Sequence, residues 1–140
     1  MNAKAVCEQI ISGYLTSSNL LNYPVLKGQT NEEKSTPCVI VYAQGIRANS
    51  EIPDCDENYL VDLKIMVIAS AQDLDEAAHK TEVENVKALL RDVDAIADLW
   101  DPANDGIMYD LWITGDEEGK EDNDFGNVLT YQIAMVGALS

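Results

Sequence analysis

Between Tyr59 and Ser70 apolar and polar positions alternate. Tyr59, Val61, Leu63, Ile65 and Val67 fall on one side, with Asp62 and Lys64 on the other. Period two over this length predicts a strand with one face in a core. The period then changes. Asp73 can cap a helix, with Glu76 completing a capping box three residues on. From there Val86, Leu89, Leu90, Val93, Ile96, Ala97 and Trp100 form one helical stripe. A flat apolar face followed by a long apolar stripe predicts a helix laid on a sheet.

The same reading places the other elements. Ala3, Cys7, Ile10, Ile11, Tyr14 and Leu15 keep three-to-four spacing and predict a helix from Asn2 to about Leu15. Thr16 to Lys34 is a polar connection that Tyr23, Val25 and Leu26 pin to the body. Pro37 to Gln44 is a short β-branched strand. Arg47 to Asn58 is a second connection, carrying Glu51, Asp54, Asp56 and Glu57. The long helix should stop at Asp101-Pro102, and Asn104-Asp105-Gly106 turns the chain.

Ile107 to Thr114 alternates again, with Ile107, Tyr109, Leu111 and Ile113 expected inward. Gly115 to Asn127 reads as an acidic loop holding Asp116, Glu117, Glu118, Glu121, Asp122 and Asp124. The closing strand, Asn127 to Leu139, turns Leu129, Tyr131, Ile133 and Met135 inward. The expected fold is a two-layer α+β domain of order α-β-β-α-β-β. One long helix packs a mixed four-stranded sheet, and two hairpins carry long acidic loops. The second sheet face mixes Met66, Ile68, Met108 and Trp112 with polar residues. Either the N-terminal helix covers it, or Trp112, Met108 or Met66 meets another subunit, since aromatics and Met are enriched in interface cores.

Composition sharpens this. A chain of 140 residues fits one domain burying roughly 68% of its unfolded surface, so it needs no disulfide or metal to fold. Its three cysteines, Cys7, Cys38 and Cys55, lack metal-ligand or redox spacing and read as small buried hydrophobes. The N-terminus has no cationic stretch followed by an apolar block, so no secretory signal is read. Nine basic against 25 acidic residues give a net charge of −16. Counterion release cannot drive such a chain onto nucleic acid, and anionic lipid repels it. What remains is simple solubility, a surface that repels or mimics nucleic acid, or one that meets a basic partner.

Chemistry is sparse. His79 is the only histidine and reads as a solvated residue in the first turns of the helix, with no matched nucleophile or second imidazole. Phosphate-binding and nucleophile-elbow glycine patterns are missing. Asp122-Asn-Asp124-Phe-Gly126-Asn127 resembles a calcium loop only in part. Asn127 stands where the pattern wants Gly, and Ile133 where it wants Glu. No catalytic residue, metal ligand or cofactor site is assigned. A weak Ca²⁺- or Mg²⁺-binding domain and an acidic mimic of nucleic acid are the alternative readings.

The element order is itself similar to a known family. A short N-terminal helix precedes the strand Thr36-Pro-Cys-Val-Ile-Val-Tyr42 and a long loop. The strand Tyr59 to Ser70, a helix ending Leu89-Leu-Arg-Asp-Val93, and a closing hairpin follow. This resembles the tail terminator and head–tail joining (neck) proteins of long-tailed bacteriophages. The resemblance implies a non-enzymatic virion subunit assembled in the host cytoplasm. It implies a ring, commonly hexameric, that contacts its own copies, the tail tube protein and the head connector while DNA passes through. On that reading the acidic residues from Glu51 to Glu57 and from Asp116 to Asp124 lie at the lumen or an axial junction. Phosphate repulsion there would reach about one Debye length, ~8 Å at physiological salt.

Overall fold

A computed structural model describes residues 3–28, 37–48, 58–70, 75–121 and 124–137. Helix α1 (Ala3–Ser17) leads into the short strand β1 (Val25–Lys27) and the long strands β2 (Cys38–Ala48) and β3 (Asn58–Ser70). Helices α2 (Glu76–Leu89) and α3 (Val93–Ala97) follow, then β4 (Ile107–Glu121) and β5 (Asp124–Val136). The fold is α+β, as the alternation of periods predicts. The sheet has five strands in the order β1-β2-β3-β5-β4, one more than expected. The extra strand comes from the first polar connection, whose Val25, Leu26 and Lys27 pair in parallel with Val39, Val41 and the residue between. Pairing is how this segment is pinned, and Leu26 itself stays exposed.

Strand β3 behaves as its alternation requires. Val61, Leu63, Ile65 and Val67 are fully buried, and their neighbours are half-buried on the other side. All three helices pack on the first side. Cys7, Ile11 and Leu15 of α1, Val83 and Val86 of α2 and Ile96 of α3 join those β3 residues in one core. Packing both helical layers on one face fixes the strand register, because a slip of one residue would turn the buried set outward. Among the described residues no helix covers the second face, so α1 does not take the role considered for it, although Cys38 and Ile40, paired with Ile68 and Met66 on that face, are each 1% exposed. Among the described residues no helix is long and apolar enough to cross a membrane.

The long helix is broken. Asp75 caps it by accepting from the Ala78 amide at 2.8 Å, rather than Asp73, which lies outside the described residues. At Leu90–Asp92 the chain turns, and the Asp92 carboxylate caps α3 by accepting from the Ala95 amide at 3.2 Å. An Asp able to satisfy free helix-start amides competes with continuing the first helix. The stripe survives the break: Val86, Leu90, Ile96 and Trp100 all reach the core. Gly106, with φ +92°, then turns the chain into β4 in a left-handed conformation that glycine adopts without a Cβ clash.

The edge strands are managed differently. On the β2 side the Ala43 amide donates to the Glu8 carboxylate of α1 at 3.0 Å, so a side chain occupies part of that edge. Strand β4, on the opposite edge, has register shifts between Met108 and Asp110 and between Ile113 and Gly115.

Burial also sets an alkaline limit. The Cys7 thiol sits 3.7 Å from the Met135 sulfur. Burial, aided by the Glu8 carboxylate, pushes the thiol from an ordinary 9.0 up to about 12. Burial likewise raises Tyr131 to about 12, against the opposing pull of Arg91. Groups whose folded values exceed their unfolded ones stabilise fully below the unfolded value and lose that contribution as pH rises towards the folded one. Stability should therefore be level to about pH 9 and fall between about pH 9 and 12, by up to about 1.4 kcal/mol per pH unit per group. Urea midpoints across this range check it, and Cys7→Val should flatten the first part of the decline.

Candidate interaction surface

The acidic segment after Ile113 is a strand, not a loop. Asp116 pairs with Leu129, Glu117 with Val128, Glu118 with Asn127 and Glu121 with Asp124. Sheet pairing with an apolar partner strand overrides the loop composition of this stretch. Its alternation divides the carboxylates between the two faces. Asp116 and Glu118 lie on the helix side, and Glu117 and Asp124 on the open side. Glu51, Asp54, Asp56, Glu57 and Asp122 lie outside the described residues. Glu121 is the last residue of β4. The partial calcium pattern is no loop over its second half, because Asp124 to Asn127 belong to the β5 ladder.

The two apolar candidates part company. Met108 is 2% exposed and belongs to the core, whereas Trp112 is half-buried on the open face opposite Gln132. The register shift at Tyr109 is the cause. An extra residue there reverses the alternation, sending Met108 inward with Leu111 and leaving Ile107 outside. Ile107, Tyr109 and Ile113 are 52%, 41% and 44% exposed along this edge strand. A β4 edge with three large exposed apolar residues is a surface suited to another protein.

Across the open face, Asp62 accepts from the Arg47 guanidinium at 2.9 Å and from the Gln132 amide at 3.1 Å. This polar strip separates two apolar ends. Towards the β4–β5 hairpin lies a cavity of about 440 Å³, lined by Met66, Ile68, Val128, Gly119 and Gly126 and bordered by Glu117, Glu118 and Asp124. A second cavity, of about 280 Å³, lies on the helix side beside Arg91, Leu111, Ile113 and Tyr131.

His79 is not solvated. It is 2% exposed, packs its ring on Phe125 at 5.6 Å, and bridges two distant elements. Nδ1 lies 3.2 Å from the Tyr23 hydroxyl and Nε2 lies 3.0 Å from Asn127 Oδ1. Asn127 in turn donates its amide to Asp116 at 3.5 Å. That orients its oxygen to His79, so Nε2–H donates and Nδ1 accepts from Tyr23 in the neutral ring. Asp116 also pairs with Lys87, which reaches Glu84 at 3.3 Å. These two carboxylates raise the Lys87 pKa, with the Asp116 hydrogen bond the largest cause and burial opposing it.

Glu82 completes the anchor. Its buried carboxylate accepts from the Asn22 amide at 2.8 Å and the Tyr23 amide at 2.7 Å. The segment before β1 is thereby tied to α2 by Tyr23–His79 and by Glu82. A signal for both residues existed: His79, Glu82, Val83, Val86 and Leu90 share three-to-four spacing. Their polarity hid a stripe position whose hydrogen-bonding partners lie about sixty residues away. Among the described residues no group of three or more His, Cys, Asp or Glu side chains is placed to hold a metal ion. Among the described residues, His79, Glu82 and Asn127 tie separate elements together.

No known family model and no curated protein matches the chain. Among solved structures it is similar to a chain described as "Virion of native gene transfer agent (GTA) particle". The TM-score is 0.62 at 14% identity, over 96% of this chain and 96% of that one. A second solved chain has a TM-score of 0.45 at 14% identity, too distant to support an argument. At this identity the first likeness is one of fold, and it extends over nearly the full length of both chains.

Proposed function

We propose that this chain is a structural subunit of a tailed-phage-like particle. In the finer reading it forms a ring, commonly hexameric in such particles, that terminates the tail tube and joins it to the head connector. The observation that carries the proposal is the near-full-length fold likeness to a chain of a gene transfer agent virion. The surface supports it. The β4 edge, with Ile107, Tyr109 and Ile113 exposed, suits a contact repeated from copy to copy. A heterologous contact of this kind closes a ring when its rotation permits.

Charge fits the same role. A net charge of −16 repels phosphate, so DNA could pass such a ring without adhering. Exposed Glu117, Glu118 and Asp124 are candidates for the lumen or for an axial junction. The split of the carboxylates between two sheet faces disfavours a mimic of nucleic acid, which needs them arrayed on one surface. The proposal assigns no bond-making step to the chain.

Light scattering over a wide concentration range, alone and with tail tube protein, tests it. The expected result is one closed multiple of the 15.4 kDa subunit, formed either alone or on the tube. A monomer that persists under both conditions contradicts it.

A further inference from the structure

We propose that the cavity on the open sheet face is a socket for a lysine or arginine side chain of a second protein. The inference rests on the structural-subunit reading and adds the chemistry of one of its contacts. It begins with two glycines that local structure does not require. Gly119 and Gly126 face each other across the β4–β5 ladder. Neither has the positive φ found at Gly28 and Gly106. A Cβ added to either would come no nearer than 3.9 Å, an ordinary contact with the other's carbonyl oxygen.

Glycine weakens a strand interior, and it often marks a place where another group approaches closely. Here the pair clears the space above one rung of the sheet. Ile68 completes that rung, and Met66 and Val128 occupy the next, so the floor is apolar. Glu117 and Asp124 share this face and border the cavity, as does Glu118, and among the described residues no lysine or arginine lines it. The occupant must therefore combine an apolar body with a positive end. A lysine or arginine does so, its methylene stem lying on Ile68 and Val128 and its head meeting carboxylates. The same carboxylates repel a phosphate backbone, so nucleic acid does not fit.

Amide spectra of the isotope-labelled protein test the socket. The probe is a blocked hexapeptide of alternating leucine and lysine, and the control is the same peptide with glutamate for lysine. The lysine peptide should shift the Gly119, Gly126 and Val128 amides saturably, and the glutamate peptide should not. Gly126→Val fills the cleared space and should weaken binding by about tenfold or more, as should Glu117→Gln combined with Asp124→Asn. If Gly126→Val does not fold, Gly119→Ala is read the same way.

Undiminished binding by any folded one of these variants overturns the proposal. So does equal binding of the glutamate peptide, or no binding at millimolar peptide. Glycine amides that shift with protein concentration alone would make the occupant a second copy, which also overturns it. Closed assemblies formed by a protein that ignores the lysine peptide would remove the socket and leave the structural-subunit reading intact.

Discussion

Glu82→Ala is expected to lower the unfolding free energy by about 3 kcal/mol, the scale of leaving buried partners of a charged group unpaired. The carboxylate is 2% exposed and receives the Asn22 and Tyr23 amides. Alanine abandons both donors, and the Tyr23 amide is buried. For a chain of this size the loss amounts to a melting-point drop of roughly 10 °C. Glu82→Gln discriminates the cause. The Tyr23 amide meets Oε2 and the Asn22 amide is shared between Oε2 at 2.8 Å and Oε1 at 3.1 Å, so an amide oxygen at the Oε2 position can keep the shorter bond of each donor. That variant should cost only about 1 kcal/mol, the scale of a neutral replacing a charge-assisted bond. Urea unfolding of the two variants measures the difference. Equal losses would mean that Glu82 acts through its packing alone.

Met108→Ala should cost about 3 kcal/mol, within the range for emptying a buried methionine site. The neighbouring Ile107→Ala should change stability by less than about 0.5 kcal/mol, as surface substitutions do. This contrast tests the phase of β4. Plain alternation from Ile107 buries Ile107 and Tyr109 and exposes Met108. The extra residue at Tyr109 instead sends Met108 into the core and leaves Ile107 more than half exposed. The Tyr109 hydroxyl then donates to Asn58 Oδ1 at 3.3 Å, which helps hold the displaced side chain against β3. Denaturant midpoints in which Ile107→Ala costs more than Met108→Ala would contradict the bulge.

These residues show where a single sequence is readable. Val61 to Val67, the stripe from Val86 to Trp100 and the inward set Leu129 to Met135 were legible because each pattern repeats over several turns or pleats. The bulge at Tyr109 was not. One inserted residue inverts a pattern without changing its composition, and the pairing with Met135 and Ala134 decides it. Strand β1 was visible only as a pinned segment, since three residues are too few to set a period. Residues 116–121 were misread because their acidity resembles a loop, yet the cross-strand partners Leu129 and Val128 impose a ladder. Along the chain Gly126 stands out only within the partial calcium pattern. That Gly119 sits opposite Gly126 is a fact of register, which spacing along one strand does not contain.

The central claim is that the chain acts as a repeated building block whose shape and negative field do its work. Negative-stain electron microscopy of the purified protein, alone and mixed with tail tube protein, tests that claim most directly. The account predicts annular particles, free or seated at the ends of tubes, with an open centre wide enough for duplex DNA. Bare tube ends beside scattered monomers, at concentrations where tubes are abundant, would contradict it.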